Sequence, residues 1–122
     1  MNKNKIIYWG STGLLSLMML ASASLYIMKY EDVSQVFVAL GFPTFIIYPL
    51  AIAKILGVAA ILTRFNPLLK NLAYAGFFYD FVLAIGAHLS AGDGEAAGAG
   101  VALVLVSVSY FFEAKAFPGK SA

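Results

Sequence analysis

The chain has 122 residues, of which 61% are hydrophobic and only 11% are charged, and its formal net charge is +2. Because a soluble domain carries about 25% charged residues, this composition excludes most soluble globular classes and favours a membrane protein. The absence of cysteine excludes disulfides, thiolate zinc sites and cysteine-ligated iron–sulfur clusters. We expect the lipid bilayer as the partner of this chain, and no nucleic acid.

Four apolar stretches are long enough, or nearly so, to cross a bilayer as helices, which takes about 20 residues. An open sheet cannot cross, because its edges would leave backbone groups unpaired in hydrocarbon. We therefore predict an all-α, integral membrane four-helix bundle that forms a single domain over residues 1–122. The predicted spans are residues 6–28, 44–62, 69–90 and 96–112.

The first span also admits a second interpretation, as a secretory signal. Lys3 and Lys5, the apolar run and the small residues 21–23 imitate a signal peptide with its cleavage site. The apolar stretch continues through Met28, however, and is then long enough to span. We expect a membrane helix here.

The segment between the first and second spans, residues 31–42, is too short to cross the membrane. From Val33 onward its apolar residues recur at helical spacing, and Gly41 and Pro43 follow as stop signals. This pattern predicts a short amphipathic helix at the outer surface of the membrane. The helix is either a structured connector or a lid over an outward-facing pocket.

Lysine and arginine are distributed unevenly between the two sides of the predicted bundle. Cytoplasmic loops are enriched in these residues, so their positions predict the orientation. Six of the eight fall on one side. They are Lys3, Lys5, Arg64, Lys70, Lys115 and Lys120. We expect a multi-pass protein with both termini in the cytoplasm.

Two charged residues lie near the middle of predicted spans, Lys54 in the second and Asp80 in the third. Lys54 is 12 residues before Asn66 and Asp80 is 14 after it, so a rise of about 1.5 Å per residue places both near one level. An ion pair between them could lock the two helices together. Alternatively, both could line a polar cavity for a proton, an ion or a small ligand.

The only histidine, His88, lies eight residues after Asp80 and therefore about 12 Å further toward the outer side. At that depth we expect Glu31 and Asp32 as its neighbours in an outer-side site. A hydrogen bond to an outer carboxylate and a role in proton handling or ligand binding both fit. A single histidine cannot form a histidine-rich metal site, so no metal site is predicted.

Aromatic residues lie deep in the second and third spans, close in sequence to the intramembrane charges. Tyr48 precedes Lys54, while Phe77 and Tyr79 flank Asp80. Tyrosines at this depth require hydrogen-bond partners. The pattern indicates either ordinary packing or the aromatic wall of a cavity able to hold a planar molecule.

Four stretches of the sequence resemble the small bacterial DoxX-like membrane proteins. They are residues 8–20 (YWGSTGLLSLMML), 40–43 (LGFP), 48–62 (YPLAIAKILGVAAIL) and 69–93 (LKNLAYAGFFYDFVLAIGAHLSAGD). The last two are the most specific. They contain Lys54, and they carry Asp80 and His88 in the patterns AYAGFxxD and AxxxHLxxGD.

The resemblance implies a four-helix bundle in the bacterial inner (cell) membrane and, for the namesake proteins, association with redox systems such as thiosulfate:quinone oxidoreduction. It also implies a small apolar or planar ligand, with a quinone as the candidate cofactor. The implied partners are a redox-enzyme subunit or further copies of this chain. The other function considered is a structural or chaperone-like role exerted through protein contacts, and whether the protein is an enzyme stays open.

Overall fold

The computed structural model describes residues 2–92 and 94–117, and within them the chain forms α-helices and no strand. Lys120 and Asp93, which belong to the charge distribution and to the family-like pattern discussed above, lie outside the described residues. The helices are α1 (Lys3–Met28), α2 (Tyr30–Leu40), α3 (Ile47–Thr63), α4 (Pro67–Ala91) and α5 (Ala96–Ala116). A 3₁₀ turn, Thr44–Ile46, leads directly into α3.

Four of these helices are long and apolar enough to cross a membrane: α1, the 3₁₀ turn with α3, α4 and α5. The predicted all-α bundle is therefore confirmed. The helices extend past several of the predicted span ends, since α1 begins at Lys3 and α5 ends at Ala116. The reason is that the predicted spans end where the apolar stretches end, whereas helical backbone hydrogen bonding continues through the polar residues that follow or precede them.

Local sequence signals determine where the helices begin and end. The side chains of Asn2 and Asn66 each accept a hydrogen bond from the backbone N–H three residues further on, and Pro67 begins α4. The helices α2 and α4 end at Gly41 and Gly92, which adopt left-handed conformations with φ of 85° and 66°. Glycine carries no Cβ, so it adopts this conformation without strain.

The four long helices pack in a ring. Helix α1 contacts α3 and α5, and α4 contacts the same two helices from the opposite side. The described core consists of side chains from all four helices. Its buried members are Leu15, Met19, Val58, Ile61, Tyr74, Phe77, Phe81, Ala102 and Val106.

The short helix between the first two spans is confirmed as α2, which contacts α1, α3 and α4 at one end of the ring. Its one buried residue, Phe37, meets the Tyr26 ring of α1 edge-on at 5.5 Å between centroids. We call this end of the bundle the α2 end. The opposite end, where α1 begins, α3 turns into α4 and α5 finishes, is called the terminal end.

Candidate functional site

A groove between α3 and α4 contains both charged residues of the predicted membrane interior. Lys54 lies near the middle of α3 and Asp80 near the middle of α4. The groove encloses a cavity of about 270 Å³. Ala53, Leu72 and Gly76 line it and are exposed, so the cavity opens on the outer surface of the ring, between the two helices.

The Lys54 side chain is 6% exposed, and its ammonium group is held by α1. Its Nζ donates a hydrogen bond to Ser22 Oγ at 2.6 Å and lies 4.0 Å from the centroid of the Tyr26 ring. A charge at the centre of a membrane helix costs about 2.5–3.5 kcal/mol on insertion scales. The hydroxyl and the aromatic face offset part of this cost.

Asp80 is half-buried and shares the cavity with Lys54, but the two side chains form no ion pair. Both residues belong to the described part of the chain, and every nitrogen–oxygen distance between their charged groups exceeds the 4.0 Å limit of an ion pair. Lys54 still acts electrostatically on the carboxyl group of Asp80 across the groove. The structure thus brings the two charges to one cavity and keeps them apart.

Phe77 forms the aromatic part of the cavity wall, where α3 and α4 approach closely. The ring is buried and stacks on Phe81, with 6.0 Å between centroids and 7° between planes. On α3 it faces Gly57, where a Cβ atom would lie 2.7 Å from Phe77 Cζ. The absence of a side chain at Gly57 is therefore what lets the ring lie against α3.

The other two aromatic residues predicted for the cavity wall lie elsewhere. Tyr48 is 49% exposed and stacks on Tyr30 of α2 at 4.9 Å. Tyr79 is 66% exposed and lines a second groove, of about 450 Å³, between α4 and α5. That groove also contains Tyr74 and Tyr110, and its walls are mostly apolar.

The three residues of the predicted outer-side site lie on two helices at the α2 end. His88 is half-buried in the last turn of α4, and its backbone carbonyl accepts a hydrogen bond from Gly92 N at 2.9 Å. Glu31 and Asp32 are exposed in the first turn of α2. Carboxylates in the first turn stabilise a helix, because the helix N-terminus carries partial positive charge.

A buried ionic cluster at the terminal end was missed by the sequence analysis. Glu113 Oε2 lies 2.6 Å from Arg64 Nη1 and 3.0 Å from Lys70 Nζ. Lys70 and Glu113 are almost fully buried, although the charge pattern counted Lys70 among the positive residues of the cytoplasmic side. The available signal was the position of Glu113, a lone acidic residue where the fourth apolar stretch ends among positive residues.

Arg64 occupies an unusual place in this cluster. It ends α3 in a left-handed conformation with φ of 54°, and its guanidinium lies 3.9 Å from the centroid of the Phe117 ring. Partial burial by itself would lower the pKa of Arg64, but its interactions with Glu113 and Tyr8 together outweigh this effect and the pKa is raised. Arg64 therefore carries its positive charge at every physiological pH.

Three hydroxyl groups connect the helices just inside the ionic cluster. Ser109 Oγ lies 2.5 Å from Thr12 Oγ1 and 2.7 Å from the Tyr74 hydroxyl, so it joins α5 to both α1 and α4. All three residues are buried. Serine and threonine are common at membrane helix interfaces, and nothing in their spacing along the chain identified this network.

No group of three histidine, cysteine or acidic residues among the described positions could hold a metal ion. Searches of curated proteins and of solved structures find no match to the chain. The sequence model of the DoxX-like family, in contrast, matches residues 10–110, a range that contains both groove charges, the whole of α2 and the Thr12–Tyr74–Ser109 network. The chain is therefore a membrane protein that belongs to the DoxX-like family.

Proposed function

We propose that this protein binds a small planar molecule with polar oxygen atoms, with a quinone as the candidate, in the groove between α3 and α4. The observation that supports this best is the separation of Lys54 from Asp80 across one cavity. Opposite charges in a membrane interior normally pair or line a functional path. Here an ammonium donor and a carboxylate remain available to one ligand.

The dimensions of the groove fit a single ring. Ligand pockets typically enclose about 300–1,000 Å³. The cavity between α3 and α4, at about 270 Å³, lies just below this range and suits one ring better than a bulky cofactor. Because the groove opens on the outer surface of the ring of helices, an apolar tail attached to that ring would remain among the lipid chains.

Each residue of the groove has a distinct role in this proposal. Lys54 donates a hydrogen bond to a ligand oxygen, and Asp80 accepts one from a ligand hydroxyl, which a quinone carries in its reduced, quinol form. Gly76 leaves room beside the backbone of α4, while Phe77, whose ring fills the space at Gly57, provides an aromatic surface against which a planar ring can pack. The arrangement distinguishes a ligand that carries both an acceptor and a donor from a pure hydrocarbon.

We further propose a location in the bacterial inner membrane with both termini in the cytoplasm, as an accessory to a membrane redox system. The distribution of lysine and arginine supports the orientation. The family supports the redox association by analogy only. Either a redox-enzyme subunit or further copies of this chain would be the partner.

The test is a thermal unfolding experiment on the purified protein in detergent, with and without a short-tailed quinone in its reduced, quinol form. A ligand at 100 times its dissociation constant stabilises a protein by about 2.7 kcal/mol, which raises the melting temperature by several degrees. We expect this shift in the wild type and in the exposed control Lys115→Met. It should disappear in Lys54→Met and in Asp80→Asn. A wild type that does not respond, or an equal shift in all four proteins, would refute the proposal.

The second candidate is a structural or chaperone-like role through protein contacts, and the groove between α4 and α5 favours it. This groove is larger, at about 450 Å³, and is lined by exposed aromatic residues such as Tyr79 and Tyr110. A photo-crosslinker at position 79 would capture one protein partner in native membranes under this alternative. The same group at Ile52, exposed on α3, should not.

A further inference from the structure

The terminal end of the bundle carries more positive than negative charge. Arg64 and Lys70 share the single carboxylate of Glu113, and one oxygen of that carboxylate contacts both. The other four acidic residues that the structure describes belong to α2, the middle of α4 and the connection between α4 and α5. Within residues 2–92 and 94–117, no further carboxylate side chain therefore lies at this end to balance the surplus.

A third cation lies beside the pair. Lys5 Nζ is 5.6 Å from the centroid of the Phe117 ring, and the Arg64 guanidinium is 3.9 Å from the same centroid. Lys70 is 2% exposed in its side chain, whereas Arg64 is 15% exposed and Lys5 is half-buried. Arg64 and Lys5, which share the Phe117 ring, thus reach the surface, while Lys70 is enclosed.

The conformation of Arg64 indicates that its placement matters. Apart from glycines, it is the one described residue with a positive φ, at 54°. A left-handed conformation is costly for a residue with a long side chain and tends to occur where the position of that side chain is required. Here it directs the guanidinium onto Phe117 and Glu113 at the helix end.

The depth of this cluster matches the headgroup region of a bilayer. It lies where α1 and α4 begin and where α3 and α5 end, and Trp9 on α1 is partly exposed there. Basic pockets between helices at this level attract phosphate-bearing headgroups, and a guanidinium can donate two parallel hydrogen bonds to one phosphate. A phosphodiester carries a negative charge that offsets part of this surplus, and acceptor oxygens that both exposed cations can contact.

We propose that the terminal end binds the phosphate group of an anionic phospholipid. Arg64 and Lys5 contact the phosphate oxygens, and Glu113 orients Arg64 while it neutralises the enclosed Lys70. The site is independent of the groove between α3 and α4, so the proposal does not rest on ligand binding there. Inorganic phosphate shares the same chemistry and is the other source that the experiment must separate.

The experiment measures lipid retention by native mass spectrometry on the full chain in zwitterionic detergent. Phosphatidylglycerol and phosphatidylcholine are titrated separately into the wild type and into Lys5→Gln, Arg64→Gln and Lys115→Gln. Lys115 is the matched control, since it lies at the same end but packs over Phe111, at 4.6 Å from the ring centroid. Lys5→Gln breaks no ion pair of the cluster, so it remains informative if Arg64→Gln fails to fold.

We expect the wild type to bind one phosphatidylglycerol at least fivefold more tightly than phosphatidylcholine. Loss of one cation should weaken that binding about fivefold in Lys5→Gln and at least as much in Arg64→Gln. Lys115→Gln should change it less than twofold. Equal retention of the two lipids, or an equal loss in Lys5→Gln and Lys115→Gln, would overturn the proposal. If millimolar inorganic phosphate displaces the lipid and raises the melting temperature as much, the lipid assignment is wrong.

Discussion

The two charged regions of the bundle accommodate buried charge in different ways. At the terminal end, Arg64 and Lys70 contact Glu113 directly, at 2.6 and 3.0 Å. In the groove between α3 and α4, Lys54 and Asp80 share a cavity without forming an ion pair. The terminal cluster therefore joins helices, whereas the groove keeps hydrogen-bonding capacity that its own side chains do not consume.

The difference shows that depth alone does not reveal what an intramembrane charge does. Both regions contain nearly buried lysines, Lys54 and Lys70. Lys70 has a carboxylate partner from another helix, while Lys54 uses a serine hydroxyl and a tyrosine ring. A neutral hydroxyl compensates an ammonium charge less completely than a carboxylate does, so Lys54 retains more affinity for a further acceptor.

The largest expected effect is the loss of the terminal cluster. Glu113→Gln leaves two cations without a carboxylate in a buried site, and breaking such a pair costs about 3–5 kcal/mol. We expect the free energy of unfolding to fall by that amount in a denaturant titration in mixed micelles. Glu31→Gln, an exposed carboxylate on α2, should change it by less than about 0.5 kcal/mol. A loss below about 1 kcal/mol in Glu113→Gln would show that the cluster does not hold the helices together.

The next effect concerns the close approach of α3 to α4. In Gly57→Ala the new methyl group would lie 2.7 Å from Phe77 Cζ, and the ring cannot move freely because it stacks on Phe81. Overpacking of this kind costs about 1–3 kcal/mol. Gly76→Ala is the matched control in the same groove, since nothing lies within 4 Å of its added Cβ. Thermal unfolding should show a lower melting temperature in Gly57→Ala only. Equal melting temperatures would mean that Phe77 has room to shift.

A smaller effect is expected from the hydroxyl network next to the terminal cluster. Ser109→Ala removes the group that contacts both Thr12 and Tyr74, and a buried partner left unsatisfied costs about 1–3 kcal/mol. Hydrogen bonds in membrane proteins average about 0.6 kcal/mol, so we expect a loss near 1 kcal/mol. Ser107→Ala is the control, because its hydroxyl is exposed and bonds only within α5. Similar losses in the two variants would argue against a role for the network in packing.

The smallest expected effect is the coupling between Lys54 and Asp80. A double-mutant cycle with Lys54→Met and Asp80→Asn should give an interaction energy below about 1 kcal/mol, because the two groups form no ion pair and interact only across the groove. Direct pairing, one of the two interpretations of the sequence, would instead make each single variant less stable than the double variant. A coupling above about 1 kcal/mol would therefore show that Lys54 and Asp80 pair directly, as the charges of the terminal cluster do.

Much of the fold follows from the sequence, because hydrocarbon imposes simple demands on a chain. The apolar stretches had to become helices, and Gly41 and Pro43 identified α2 as a separate short helix before α3. The helix ends were less accessible, since the continuation of α5 to Ala116 depends on backbone hydrogen bonds and on the packing of buried Glu113.

The candidate site was only partly accessible from sequence. Lys54 and Asp80 stand out because hydrocarbon rejects charge, and helix geometry placed them near one level. The partner of Lys54 did not follow, because Ser22 is 32 residues away and its position depends on how α1 packs against α3. Glu113 was overlooked for the opposite reason, since an acidic residue at the end of an apolar stretch looks like an ordinary loop charge.

The Tyr26 ring connects the surface of the bundle to its interior. The ring packs at right angles to the Phe37 ring of α2, and its face covers the ammonium group of Lys54. A displacement of α2 would therefore be transmitted to Lys54 through contacts with one side chain, that of Tyr26. Any event that moves α2, such as a change in lipid packing at that surface, would alter the electrostatic environment of Lys54 without the bundle having to open.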